Sequence, residues 1–235
     1  LRGKQASGLL TQQKMLRAAV KLFLEKGYEG TTTAEIARAA GMTPSSFFRA
    51  FPSKEALLLE LDKRMFSGQF ALAEQHSAAQ DPVLLYAVET AIQMTLTELN
   101  ENLREIYIEA YTEKEASEYI LRETAKELHG IFGSYLPDAT ERDFYDMEIG
   151  SASIMRGYMA HPCDGELTLE KKLRLFLTMS LRAYSVPKEE VEQVIRFVEG
   201  LDIREIAEQV MQKLFKALAM RYEFSLTGLT EPVKK

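Results

Sequence analysis

A single cysteine, Cys163, and only three histidines leave this 235-residue chain poor in the side chains that most often carry redox, metal or acid–base chemistry. One cysteine cannot close an internal disulfide, so a reducing, cytoplasmic setting is expected. The longest uninterrupted apolar run, Val83 to Val88, falls far short of the ~20 residues a membrane helix needs, and no membrane partner is expected. The chain opens at Leu1 without a basic head and apolar stretch, so no secretory leader is expected. Convincing strands, internal repeats and low-complexity runs are missing too. Hydrophobic residues at 46% and charged residues at 27% are ordinary globular values, which exclude a disordered chain, a collagen-like repeat and a coiled-coil rod. His76, His129 and His161 assemble with no visible nucleophile, base and orienting group, so no enzyme is expected. His161 and Cys163 flank Pro162 ahead of Asp164 and Glu166, but without a second Cys or His pair they make a poor ligand set. No metal and no cofactor are expected.

What is present is an uneven distribution of charge. The net charge of −6 would normally count against a polyanionic partner, yet residues 1–54 carry nine basic side chains against three acidic ones, a surplus of six. The remainder therefore sums to −12. A basic segment joined to an acidic body is the asymmetry expected when one part meets a polyanion, although a basic cluster on a solvated face looks the same by charge alone.

The chain reads as helical throughout. Thr11 is placed to cap a helix whose apolar positions Leu16, Ala19, Leu22 and Phe23 share a face, with Gly27 as its stop. Thr32 and Glu35 form a Thr-x-x-Glu capping box opening a short helix that Gly41 ends. Thr43 before Pro44 starts a third helix running to about Phe51, and Ser53 caps a longer one with Leu57, Leu58, Leu61 and Met65 on its buried side. Asp81-Pro82 starts another, to about Leu99, and further helical patterns follow at roughly 102–112, 115–135, 140–160, 167–184, 188–198 and 203–222.

Two short capped helices joined by Ala40-Gly41-Met42 fit a helix-turn-helix. Ile36, Ala37 and Ala40 would pack the first inward while Phe47 and Phe51 anchor the second. Pro44, Ser45, Ser46 and Arg49 would face outward, toward base edges and phosphates. Together with Ala18-Ala19, Leu22-Phe23, Gly27-Tyr28, Thr31-Thr32-Thr33, Glu35-Ile36-Ala37, Phe47-Phe48 and Ser53-Lys54-Glu55, the stretch from Met15 to Leu58 closely resembles the DNA-binding domain of the tetracycline-repressor (TetR) family. The resemblance implies an all-α chain: a three-helix DNA-binding domain over residues 1–55, a helical ligand-binding and dimerisation domain over 56–225, and a flexible tail at 226–235. It implies that Thr32 and Thr33 touch the DNA backbone, that Thr43, Pro44, Ser45, Ser46, Phe48 and Arg49 enter the major groove, and that Lys54 meets a phosphate. Phe48 stands where the family usually has a tyrosine, which removes one backbone contact worth ~1 kcal/mol, and Ala50 replaces a usually larger residue. Thr32, Thr43 and Ser53 are also needed as caps, and capping can coexist with phosphate binding. Arg49 suits guanine or phosphate alike. Arg2 and Lys4 are either a minor-groove arm or a plain basic tail.

The acidic body resembles the family in layout alone. Gly150, Ser153, Gly157 and Ala160 form a seam of small residues on one helix, open to close approach by a helix of the same chain or of a twin. The stripe Ile203, Ile206, Val210, Leu214 and Ala217 is either part of the same dimer bundle or intrachain core. Glu101, Glu105, Glu109 and Glu113 recur every fourth residue, an acidic row that Arg104 and Lys114 would relieve; with Tyr107 and Tyr111 it could alternatively hold a lipophilic cation. Met94, Tyr107, Tyr111, Phe132, Met155 and Tyr158 are the candidate lining of a small-molecule cavity, or plain core. The expected function is a homodimeric repressor on double-stranded DNA with a quasi-palindromic operator, released by an unidentified small-molecule effector. The alternative keeps the DNA-binding fold but gives regulation to a protein partner.

Overall fold

The computed structural model describes residues 2–77, 81–218 and 220, with side chains from residue 8 onward. The described residues form eleven helices and no strand: α1 (Arg2–Lys26), α2 (Thr33–Ala39), α3 (Pro44–Ala50), α4 (Lys54–His76), α5 (Pro82–Leu99), α6 (Glu101–Ala110), α7 (Lys114–Phe132), α8 (Glu141–Ala160), α9 (Leu169–Ala183), α10 (Lys188–Glu199) and α11 (Ile203–Ala217). The all-α expectation holds. The side chains of Arg2 and Lys4 and the tail at 226–235 lie outside the described residues.

Local chemistry explains most helix starts. Asp81 accepts the amides of Val83 and Leu84, Asn100 those of Asn102 and Leu103, and Thr140 with Asp143 closes a second capping box. Each satisfies amides that the first turn leaves without an intrahelical partner. One start differs from expectation: α1 begins at Arg2, so Thr11 lies inside the helix instead of capping it. Residues 2–10 contain no proline, and Lys, Gln, Ala and Leu among them are good helix formers, so nothing stops the helix from extending backward.

Helix α5 is the axle. Nearly every residue from Tyr86 to Leu99 is buried, because α4, α6, α7, α8, α9, α10 and α11 all pack around it. Helix α11 buries Ile203, Ile206, Val210 and Leu214 against α5 and α4. From Ile203 to Leu214 the stripe is therefore intrachain core, the second of its two readings and not part of a dimer bundle, while Ala217 at its end is exposed. The small-residue seam behaves differently: Gly150, Ser153, Gly157 and Ala160 are all exposed, and a Cβ at Gly150 or Gly157 would meet nothing within 4 Å. Among the described residues no helix is long and apolar enough to cross a membrane.

A buried ionic node fixes the far end of the axle. Lys172 of α9, fully buried, pairs with Glu98 at 2.5 Å and donates to the carbonyl of His161. Arg104 reaches the same Glu98 at 3.1 Å, and the Cys163 amide donates to it at 3.0 Å. Burial alone would raise the Glu98 pKa, but the Cys163 amide and the two cations outweigh it, so it lies below the usual value. Arg104 thus serves Glu98, not the acidic row it was expected to relieve. Nor is that row simply solvated, since Glu105 accepts the Glu29 amide and Glu113 caps α7.

Candidate functional site

The outer end of the molecule is built by α2, the turn and α3. At the start of α2 the Thr32 hydroxyl accepts the Glu35 amide at 3.2 Å, and the Glu35 carboxylate accepts the Thr32 amide at 2.8 Å. Lys26, the last residue of α1, pairs with the same carboxylate at 2.5 Å. These bonds, Lys26 first, hold the Glu35 pKa down to about 2. The chain leaves α2 through Gly41 at φ +73°, a left-handed conformation that side chains disfavour. It re-enters helix at Pro44, and Phe47, fully buried, and Phe51, nearly so, pin α3 to the core.

This leaves Thr43, Pro44, Ser45, Phe48 and Arg49 exposed on one surface, Phe48 by 60%. Ser46 departs from expectation. It is buried beside Phe47, and its hydroxyl pairs with Thr43 Oγ1 at 2.9 Å while accepting Arg49 Nη2 at 2.8 Å. Ser46 therefore orients Thr43 and Arg49 from beneath instead of facing outward. Thr43 sits at the N-cap of α3 but makes no cap hydrogen bond, its hydroxyl pairing with Ser45 and Ser46. Thr32 is exposed and Thr33 half-buried at the neighbouring helix start. Lys54 also departs: its ammonium donates to the carbonyls of Tyr28 at 3.0 Å and Thr31 at 3.3 Å and lies 3.9 Å from the Tyr28 ring centroid. Two of its three donors staple α4 to the α1–α2 loop, leaving one for anything outside. Sequence reasoning missed the contribution of α1, where Gln12 donates to the Ala50 carbonyl at 3.0 Å and Gly8, Leu9 and Thr11 form the opposite wall of a concavity with α3.

Behind this head, α6 bridges to the interior. Near its start Asn102 donates to Leu24 O at 2.8 Å, and Glu105 accepts the Glu29 amide at 2.7 Å, both across the junction with α1. Toward its end Tyr107 and Tyr111 face two small cavities. The first lies among α4, α5, α6 and α7 and is walled by Asp62, Gln69, Gln93, Tyr107, Tyr111 and Tyr119 with apolar neighbours. The second lies among α4, α5, α7 and α8 and includes Glu89, Glu148, Tyr86, Ser151 and Met155. Phe66, Gln93 and Tyr111 belong to both, and each has a volume of about 30 Å³, room for a water or two. Of the expected lining, Tyr107, Tyr111 and Met155 are there. Met94 and Phe132 are fully buried elsewhere, Phe132 stacked on Tyr184 at 4.5 Å, and Tyr158 packs on the core.

Three carboxyl groups in these walls escaped the sequence. Burial pushes Glu89 up to about 7, against a 2.5 Å hydrogen bond from Gln93. Burial pushes Glu148 up to about 8, against the Tyr184 hydroxyl at 2.9 Å. Asp62 is raised well above the usual range, by burial and then by Glu113, and its Oδ2 has no partner. A signal existed: Leu58, Leu61, Asp62 and Met65 share one stripe, as do Phe144, Glu148, Ser151 and Met155. The loop that suggested a metal is occupied with structural bonds, since Asp164 accepts the amides of Glu166 and Leu167. Among the described residues no group of three or more His, Cys, Asp or Glu is placed to hold a metal ion.

Residues 15–61 match the family described as "Bacterial regulatory proteins, tetR family". The chain is 37% identical over 73 residues to the HTH-type transcriptional regulator TcmR of Streptomyces glaucescens, spanning 31% of this chain and 32% of that protein. It is 33% identical over 94 residues to the uncharacterized HTH-type transcriptional regulator YuxN of Bacillus subtilis (strain 168), spanning 40% of this chain and 31% of that protein. A 65-residue match at 37% identity relates it to YvkB of the same organism, over 28% and 34% of the two chains. The matches thus span about a third of the length of these relatives. A capped helix-turn-helix with an exposed second helix, together with these likenesses, makes residues 15–61 a helix-turn-helix domain of the kind found in tetR-family bacterial regulatory proteins.

Proposed function

We propose that the chain is a homodimeric, cytoplasmic repressor that reads a quasi-palindromic operator and is released from it by a small molecule bound in its helical body. Residues 1–55 form the DNA-binding domain and 56–225 the regulatory one. Thr43, Pro44, Ser45, Phe48 and Arg49 meet the major groove, with Thr32 and Thr33 on the backbone, while Ser46 and Lys54 brace those contacts from inside. The two chains meet along the exposed seam of α8, next to Ile149 on the same helix and Leu175 and Met179 on α9, all three exposed apolar side chains. Small residues on one helix with apolar side chains beside them suit helix-on-helix packing.

The observation that carries this reading is the double duty of α6. One end grips α1 through Asn102 and Glu105, and the other walls the cavities through Tyr107 and Tyr111. A ligand that prefers an opened cavity shifts α6, and with it the spacing of two recognition helices that must sit ~34–36 Å apart on DNA. The small size of the cavities favours the second reading, regulation by a protein partner. Three carboxyls without cations weigh against it, because a core that never opened would gain from replacing them. The test is selection from a randomised duplex library at two salt concentrations. An enriched inverted repeat whose binding falls steeply with salt supports the proposal; weak, salt-sensitive binding with no enriched sequence rejects it.

A further inference from the structure

The acids in the cavity walls contrast with another acid in the same core. Glu98 is buried on the same helix as Glu89, yet it has two cations and a backbone amide. Asp62, Glu89 and Glu148 have none: among the described residues no Lys or Arg figures in the charge balance of any of them. Glu89 has one amide donor, Glu148 one phenol, and Asp62 keeps an oxygen wholly unpartnered although its side chain is almost completely buried. A buried polar atom left unsatisfied costs ~1–3 kcal/mol. The fold therefore carries acceptors that its own donors do not fill, and they face space instead of packed side chains.

The rest of the wall narrows the chemistry. Phe66 and Tyr111 stand between the two chambers, with Tyr107 on one side and Tyr86 on the other. Aromatic faces attract positive charge, and a buried acid that releases its proton to solvent as the ligand enters offers a carboxylate that attracts a cation and repels an anion in a site of low dielectric. Among the described residues no basic side chain lines either chamber, so an anion would find no counter-charge from them. We propose that this pair of cavities is the binding site of an organic cation, its charge received by Asp62, Glu89 and Glu148 and its apolar body held between Phe66, Tyr107 and Tyr111. The proposal rests on the reading above that the domain answers to a small molecule, and it names the class of that molecule.

Entry has a structural cost that links it to the head. Tyr111 donates to Gln93 at 2.8 Å, and this bond closes the wall between the chambers. A ligand larger than a water or two must break it and merge them. Tyr111 caps the end of α6, so the same step pulls on the helix whose other end holds Leu24 and Glu29.

Calorimetry on the 235-residue chain tests this with probes matched in shape and opposed in charge. Tetraphenylphosphonium is set against tetraphenylborate, and phenyltrimethylammonium against its uncharged isostere tert-butylbenzene. The cations are expected to bind at least tenfold more tightly than their partners. A D62N/E89Q variant, folded by far-UV circular dichroism, is expected to lose that affinity at least tenfold. Cation binding undiminished in D62N/E89Q would place the cations on the acidic surface and overturn the proposal. Preference for the neutral or anionic probe overturns it too, while leaving a ligand-responsive domain in place. Failure of every probe overturns both the cation site and the small-molecule reading behind it, and returns regulation to a protein partner.

Discussion

Glu105 accepts the backbone amide of Glu29 across 76 positions of sequence, tying the loop after α1 to the middle of α6. The contact is made possible by Gly27, whose backbone is left-handed at φ +79° and where an added Cβ would collide with the Glu105 carboxylate. With Asn102 on Leu24 O it forms the polar part of the junction between head and body. In the double variant N102A/E105A the head is expected to loosen without unfolding. Hydrogen exchange at the Glu29 and Thr31 amides would accelerate severalfold, while α5 amides keep their protection; unchanged exchange at Glu29 would show that the junction is held by apolar packing instead.

Phe48 offers a gain-of-function test. Its ring is 60% exposed, so F48Y adds a hydroxyl at no cost in packing. If Phe48 lies beside a phosphate, one new hydrogen bond worth ~1 kcal/mol should tighten binding to the selected operator about fivefold. R49A should do the opposite, weakening binding by ~1–3 kcal/mol and relaxing preference at one base pair if its contact is to guanine. Titration of labelled operator duplexes, each changed at one position, reads both.

Glu89 and Glu148 make stability depend on pH in a direction opposite to an ordinary paired carboxylate. Both hold their protons in the folded chain up to about 7 and about 8, whereas the unfolded chain releases them near 4.5. The folded state thus binds more protons across that window, and stability falls as pH rises through it, at on the order of 1 kcal/mol per pH unit per group. Below the unfolded value the effect is fully favourable. Thermal midpoints from pH 5 to 8.5 should decline for the native chain and decline less for E148Q; parallel curves would mean that Glu148 is hydrated and ionised in solution.

The seam on α8 predicts a clean separation of assembly from folding. Gly157 is exposed, and a side chain there meets nothing within 4 Å of its Cβ. G157R should therefore split the proposed dimer in light-scattering measurements while the helix itself gains about 1 kcal/mol from losing a mid-helix glycine. A variant that stays dimeric would move the interface off this face.

Legibility from sequence followed the range of the interaction. Caps are local, so Thr32, Ser53, Asp81 and the helices they open could be read directly, as could the inward Phe47 and Phe51. Thr11 misled because a capping residue is only a stop where the chain before it cannot be helical. Ser46 and Lys54 misled because polar side chains were assigned to the outside, whereas here they satisfy hydroxyl and carbonyl groups within the scaffold. The cavity was hardest. Whether Met155 or Met94 borders open space depends on how five helices meet, and a carboxylate set into an apolar stripe, as at Asp62 or Glu148, is easily taken for an edge of the solvent face.

The clasp of Lys26, Thr32 and Glu35 has a consequence for how the molecule perceives acidity. Its carboxylate stays ionised down to about 2, so the start of α2 keeps its cap throughout the range in which Glu89 and Glu148 exchange protons. Acidification across that range reaches Glu89 and Glu148 in the body and leaves this cap in place. A signal of that kind reaches the start of α2 through the grip of α6 on α1, and not through a change at the cap itself.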